Sequence, residues 1–171
     1  MSTNGPPDLV IRVATVADAG TIAQQRAAMW LAMGRFDENG AAVMTRVTRD
    51  ALERLMPLGS YRGWLAAPAS EPERAIGGVG LHLRESLPRI EATGRISGGV
   101  QALVVNVYTE PAWRRRGVAA RLMREALAWC TASKIGNVIL HASDEGRPLY
   151  ESLGFVSTNE MRYAPPAPES R

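Results

Sequence analysis

The chain of 171 residues is poor in the residues that build metal centres and disulfides, with one cysteine, Cys130, and two histidines, His82 and His141. A single cysteine forbids an internal disulfide, and three scattered ligating side chains make no zinc-type cluster, so no metal is expected. A G-x-S-x-G elbow is missing, which argues against a Ser-His-Asp hydrolase. The Lys-Ser or Lys-Thr that follows the glycines of a P-loop is absent, and the glycine at 117 does not open a G-x-G-x-x-G fingerprint. No apolar run approaches the roughly 18 residues of a membrane span, and the first residues lack a signal-peptide core. A cytoplasmic protein without membrane contact is therefore expected. Charge of neither sign dominates: 20 Lys and Arg stand against 17 Asp and Glu, a net +3. That balance gives little reason to expect a nucleic-acid partner.

What is present is an ordinary globular composition, 46% apolar and 22% charged, in a chain long enough for one substantial core. The order of elements is mixed. Leu9 to Ala14 alternates as a strand. Thr15 is placed to cap a helix, with Asp18 at its third position. That helix runs to about Met33, with Ala19, Ile22, Ala23, Met29, Trp30 and Met33 on its apolar face. Arg26 interrupts this face and reads as a snorkelling edge residue, with a polar group facing a cleft as the alternative. A connection holding Asp37 and Glu38 leads to a second helix over about Ala41 to Met56, striped by Met44, Val47, Ala51, Leu52 and Leu55. Ser60 to Ala67 and Ala75 to Arg84 read as strands. Leu87 to Gly99 shows no period and reads as loop. A strand begins at Val100, a helix ends near Lys134-Ile135-Gly136, and Asn137 to Ala142 is a fifth strand. Ser143 to Leu153 reads as a short helix, and Gly154-Phe155-Val156 as the start of one or two final strands. The expected fold is α/β (α+β): one domain over 9–163, a mixed sheet with helices on both faces, between flexible tails at 1–8 and 164–171.

The chain is organised around Val104 to Cys130. Val104 to Tyr108 is a buried strand that is apolar apart from Asn106. Glu110-Pro111 stops it. Arg114, Arg115, Arg116 and Gly117 follow, then a helix with Ala119, Leu122, Met123, Ala126, Leu127 and Cys130 on one face. The first turn of a helix holds N–H groups without intrahelical partners, and its dipole attracts negative charge. Gly117 lacks a Cβ, so an anion can approach the backbone. Three arginines beside several convergent N–H groups suit a diphosphate. The plainer alternative is a solvated basic loop before an ordinary helix.

This stretch resembles the acetyl-CoA signature of the GNAT acyltransferases, whose loop runs Arg or Gln, x, x, Gly, x, Gly or Ala. Here it is Arg114-Arg115-Arg116-Gly117-Val118-Ala119, after the strand end and proline turn Val107-Tyr108-Thr109-Glu110-Pro111. A second landmark is Tyr150 followed by Leu153-Gly154-Phe155. The family often carries an asparagine seven residues before that tyrosine; here Ser143 stands there. The likeness extends from about Leu9 to Tyr163.

The resemblance implies a GNAT-like fold with a mostly antiparallel central sheet, and an acetyl-CoA-dependent N-acetyltransferase. It implies that Val107, Tyr108 and Thr109 line the pantetheine arm, with the backbone of Val107 and Thr109 pairing to it. Backbone N–H groups from Arg115 through Gly117, Val118 and Ala119 to Ala120 would hold the pyrophosphate, with Arg114 in the same loop. Ser143 would replace the usual asparagine contact, and Tyr150 would protonate the departing thiolate. A phenol with pKa near ~10 is a sensible donor to a thiolate. The base stays open among Glu110, His82, His141 and water. The acceptor is an amine of a small molecule or a protein, and a homodimer is left open. Two other readings stand beside this one: a nucleic-acid module using the arginines, and a CoA-binding sensor without catalysis. Cys130, on the buried helix face, is expected to pack rather than react.

Overall fold

The computed structural model describes residues 8–90, 92–94 and 96–163, in two compact units that meet in sequence between His141 and Ala142. The expected tails, apart from Asp8, lie outside the described residues. Among the described residues no helix is long and apolar enough to cross a membrane.

The first unit is a five-stranded sheet with strands in sequence order: β1 (Leu9–Val13), β2 (Tyr61–Pro68), β3 (Gly77–Ile90), β4 (Ile96–Thr109) and β5 (Asn137–Leu140). The first four are antiparallel neighbours, and β5 runs parallel to β4. The one parallel pair follows from its connection. A chain leaving the end of β4 must cross a face of the sheet to return alongside, and α3 (Val118–Ala132) provides that crossing.

Between β1 and β2 lie α1 (Ala19–Ala32) and α2 (Glu38–Leu55). A short 3-10 turn, Val16–Asp18, opens α1. The Asp18 carboxylate accepts the Thr15 backbone N–H at 2.8 Å and the Thr15 hydroxyl at 3.1 Å, and forms an ion pair with Arg12 at 2.7 Å. The second helix starts three residues earlier than its periodicity suggests. Asp37 caps it, accepting the Gly40 N–H at 2.9 Å, which outweighs the helix-weakening glycine. Asp37 and Glu38 thus belong to a helix start rather than to an open connection.

Adjacent glycines on β3 show the two layers. A Cβ at Gly77 would meet Val118 at 3.2 Å and Leu122 at 3.4 Å, both on α3. A Cβ at Gly78 would meet Gln25 of α1 at 2.5 Å. Neighbouring positions on a strand face opposite sides, so α3 covers one face and α1 the other. On the α1 side Ala14, Ala19, Ile22, Leu52, Tyr61 and Leu65 form one buried cluster. On the α3 side Leu122, Met123 and Cys130 are fully buried, and Trp64 of β2 packs against Trp129 at 5.9 Å. Full burial of an apolar side chain of this size contributes about 1.5–3 kcal/mol.

Two expectations are corrected. The stretch Leu87 to Gly99 is not a loop: β3 and β4 continue pairing through it, with Ser86 opposite Gly99 and Ile90 opposite Ile96. A register shift between Ser86 and Arg89 breaks the alternation that would have revealed the strands. Gly98, at φ +146, has no room for a side chain, since a Cβ would lie 2.5 Å from the Pro88 Cα. The second correction concerns the C-terminal side. The second unit holds α4 (Arg147–Ser152), and no strand follows Gly154 among the described residues. Val156, Met161 and Tyr163 are exposed. β-propensity alone does not make a strand without a partner edge.

Candidate functional site

The site begins with a defect in β4. Gly78 pairs with Tyr108 and Gly80 with Val105, so Val79 alone faces two residues, Asn106 and Val107. This is a β-bulge, and Asn106 takes a left-handed conformation at φ +57. Asparagine tolerates that conformation better than the β-branched residues around it. Its side chain is 8% exposed and held from both ends. Arg26 Nη1 of α1 donates to Asn106 Oδ1 at 2.5 Å, and Asn106 Nδ2 donates to the Tyr61 hydroxyl at 3.3 Å. Burial pushes the Tyr61 phenol up to about 12 and draws the Arg26 guanidinium below its ordinary value.

Arg26 is therefore no snorkelling edge residue: it reaches inward to the bulge. Sequence reasoning missed this Arg26–Asn106–Tyr61 network. Its signal was two polar interruptions, one in an apolar strand and one on an apolar helix face, which only the fold brings together.

The bulge lies just beyond the point where β4 loses its parallel neighbour. β5 pairs with β4 only from Gln101 to Val104. From Val105 to Thr109 that edge of β4 has no strand partner among the described residues. Beyond the strand end, the Glu110 N–H points to the β3 side, where it donates to the carbonyl of Ile76, the residue before β3, at 2.8 Å. Main-chain directions alternate along a strand, so Thr109 and Val107 turn their N–H and C=O groups to the unpaired edge. The Thr109 carbonyl accepts from Arg114 Nε at 3.2 Å, and the buried Thr109 hydroxyl oxygen has no partner among the described residues. Tyr108 is half-buried; desolvation, and then the neighbouring Glu110, raises its phenol pKa.

A 3-10 turn, Pro111–Trp113, carries the chain to the arginines. The three differ in role. Arg114 is tied back to Thr109, and the Arg116 guanidinium stacks 4.6 Å from the Trp113 ring centroid. Arg115 is exposed and left-handed at φ +58. Gly117, at φ +81, is the N-cap of α3, and the first intrahelical bond runs from the Arg121 N–H to its carbonyl at 3.0 Å. No side chain caps this helix and no acid stands in its first turn. The N–H groups of Gly117, Val118, Ala119 and Ala120 precede that first bond. The Val118 side chain is core, so this residue offers a ligand only its backbone.

Among the base candidates, the Glu110 carboxylate is paired with Arg74 at 2.7 Å. His82 lies on β3 opposite Tyr61 and Leu103, and His141 is exposed just past β5. Cys130 is buried, and desolvation raises its thiol pKa. Among the described residues, no group of three His, Cys, Asp or Glu side chains could hold a metal ion.

In the second unit, Ser143 opens the turn into α4. Its hydroxyl accepts the Gly146 N–H at 3.2 Å, and its carbonyl accepts the Gly146 and Arg147 N–H groups. Tyr150 is half-buried and meets Phe155 edge-on at 6.1 Å. Burial raises its phenol pKa.

An unpaired strand edge, an orphaned buried hydroxyl at its end, and an uncapped helix start reached through three arginines suit a cofactor with an amide-bearing arm and a diphosphate. Comparison with known proteins agrees. A family model described as an acetyltransferase (GNAT) domain matches residues 36–164. A GCN5-related N-acetyltransferase from Ralstonia eutropha is similar at 28% identity and a TM-score of 0.77, over 91% of this chain and 97% of that one. A predicted acetyltransferase from Clostridium acetobutylicum, solved with acetyl-CoA, shares 21% identity and a TM-score of 0.75 over 92% and 96%. The glucosamine-6-phosphate N-acetyltransferase of Arabidopsis thaliana shares the fold at 13% identity and a TM-score of 0.64, over 91% and 97%. No curated protein sequence matches the chain.

Proposed function

The chain belongs to the GNAT acetyltransferase family, and from that premise we propose that it transfers an acetyl group directly from acetyl-CoA to a primary amine. The observation that carries this reading is the uncapped start of α3, with Gly117 at φ +81, at the end of the unpaired β4 edge. Acetyl-CoA supplies an activated thioester.

In this reading the chain's own groups divide the work. Val107 and Thr109 pair through their backbone with the pantetheine arm, and the Thr109 hydroxyl gains the partner it lacks. The N–H groups of Gly117 to Ala120, with that of Arg115, hold the pyrophosphate, where the helix dipole adds to them. The side chains of Arg114 and Arg116, engaged with Thr109 and Trp113, shape the loop as much as they supply charge. Tyr150 donates a proton to the leaving sulfur; its raised pKa keeps the hydroxyl protonated at neutral pH. Ser143 belongs to the reading as a cofactor contact, although its hydroxyl also serves the α4 turn. The incoming amine loses its proton to water, given that Glu110 is engaged with Arg74.

Buried Cys130 gives no support to an acetyl-enzyme, so both substrates are bound together when transfer occurs. Calorimetry with acetyl-CoA, then thiol release with a panel of amines, tests the reading. Micromolar binding with amine-dependent thiol release is expected. Binding without turnover on any amine would leave a CoA sensor, and salt-sensitive nucleic-acid binding in place of CoA binding would leave the basic module.

A further inference from the structure

The Arg26 side chain poses a charge problem. It is partly buried against the β4 bulge and lies 5.1 Å from the Trp30 ring centroid, and Trp30 stacks with Phe36 at 6.5 Å. Its one hydrogen-bond partner among the described residues, Asn106 Oδ1, is neutral. Ion pairs elsewhere join Arg12 to Asp18, Arg49 to Asp50 and Glu53, and Arg74 to Glu110. Among the described residues no carboxylate lies within ion-pair distance of Arg26.

Removing a cation from water without a counter-ion is costly. If the only task were to hold Asn106, a neutral amide donor would perform it without that cost. Nor is the residue sealed away, since Arg26 is only partly buried. At the preceding helix position Gln25 is 7% exposed, and its amide lies against Gly78 of β3. An oxyanion beside Arg26 would supply the counter-charge that the guanidinium lacks.

We infer that Arg26 is a specificity-determining residue that binds an oxyanion, a carboxylate or a phosphate monoester, carried by the amine acceptor. The inference rests on the acetyl-transfer reading. Asn106 directly precedes Val107, which that reading places beside the pantetheine arm, so an anion held by Arg26 sits close to the reacting carbonyl. The acceptor is then a compact molecule with its anion near its amine. The planar fork of a guanidinium can keep one N–H on Asn106 while others take the oxyanion, which a lysine ammonium does less well.

The test uses matched acceptors with the full-length protein and acetyl-CoA. One arm compares amino acids with their carboxamides and with the amines lacking the carboxyl group. The other compares an amino sugar with its phosphate monoester. Wild type is expected to favour the anionic member of at least one pair by about 10- to 100-fold in kcat/KM, the range set by one charge-assisted hydrogen-bonded pair. The favoured arm identifies the oxyanion. In Arg26→Gln, which keeps an amide donor towards Asn106, that ratio should collapse towards one, whereas Arg26→Lys should retain part of it. Asn106→Gly, which removes the amide but keeps the cation and leaves the left-handed bulge unstrained, should retain part of the ratio.

A panel in which no anionic amine outperforms its neutral counterpart overturns the inference, whether or not any amine is turned over. So does an Arg26→Gln variant whose loss is equal for both members, since that would make Arg26 purely a positioning residue. Failure to bind acetyl-CoA in calorimetry would instead remove the acetyl-transfer reading itself.

Discussion

Gly117 offers the sharpest test of the pyrophosphate site, because the structure separates two reasons for a glycine. The residue sits at φ +81 at the N-cap of α3, and a Cβ there would meet no atom of the protein within 4 Å. Substitution therefore costs backbone conformation and no packing. For alanine the left-handed region costs about 1–2 kcal/mol. In a protein of this length that lowers Tm by about 2–8 °C. Asparagine enters the same region with less strain, so Gly117→Asn should recover most of the lost Tm. Cofactor binding should behave differently. A Cβ that clashes with nothing in the free protein still projects into the space through which a diphosphate reaches the N–H groups. Both variants should then bind acetyl-CoA more weakly, and Gly117→Asn should do so while nearly as stable as wild type. Thermal unfolding without ligand and calorimetry with acetyl-CoA give the two numbers. Undiminished acetyl-CoA affinity in a folded Gly117→Asn would show that the phosphates lie elsewhere. Equal Tm for Gly117→Ala and wild type would remove the conformational argument.

Asn106 should show a similar split. Asn106→Gly loses the hydrogen bonds to Arg26 and Tyr61, about 1–3 kcal/mol for buried groups left unpaired, while Asn106→Ala adds a further backbone cost of about 1–2 kcal/mol; identical urea midpoints for the two would contradict the left-handed bulge. Asp18 has its pKa drawn down to about 2, first by the hydrogen bond from Arg12. A depressed carboxylate stabilises the fold above its unfolded pKa, near ~4, and loses that contribution as pH falls through 2. Asp18→Asn should therefore be less stable than wild type at pH 6, with the gap closing between about pH 4 and pH 2 in denaturant titrations; a gap that does not change with pH would exclude the ion pair as its source. Tyr150→Phe should keep its ring contact with Phe155 and its acetyl-CoA affinity, while kcat falls on the order of 10²-fold; full kcat under conditions where chemistry limits the rate would leave water as the donor.

The amino-acid sequence by itself determined the parts of this protein that rest on local chemistry. Alternation marks β1 and the first half of β3, and the 3.6-residue period marks the buried face of α3 from Leu122 to Cys130. The junction from Val107 to Ala120 is legible because a strand end, a proline turn, a cation cluster and a glycine before a helix are all local signals. The hairpin through Leu87 to Gly99 was hidden because a register shift and Gly98 break the period while cross-strand pairing sustains the strands. A terminal strand after Gly154 looked sound on propensity, but a strand exists only where an edge receives it. Only the tertiary structure decided that Arg26, Tyr61 and Asn106 meet. They lie 80 and 45 residues apart along the chain, and each alone reads as an ordinary polar interruption. The bulge that joins them is likewise invisible locally, because it is a relation between two strands: one residue of β3 facing two of β4. The charge environment follows for the same reason. Whether a guanidinium is neutralised depends on which carboxylates the fold brings near it, and around Arg26 the fold brings an amide and an aromatic ring.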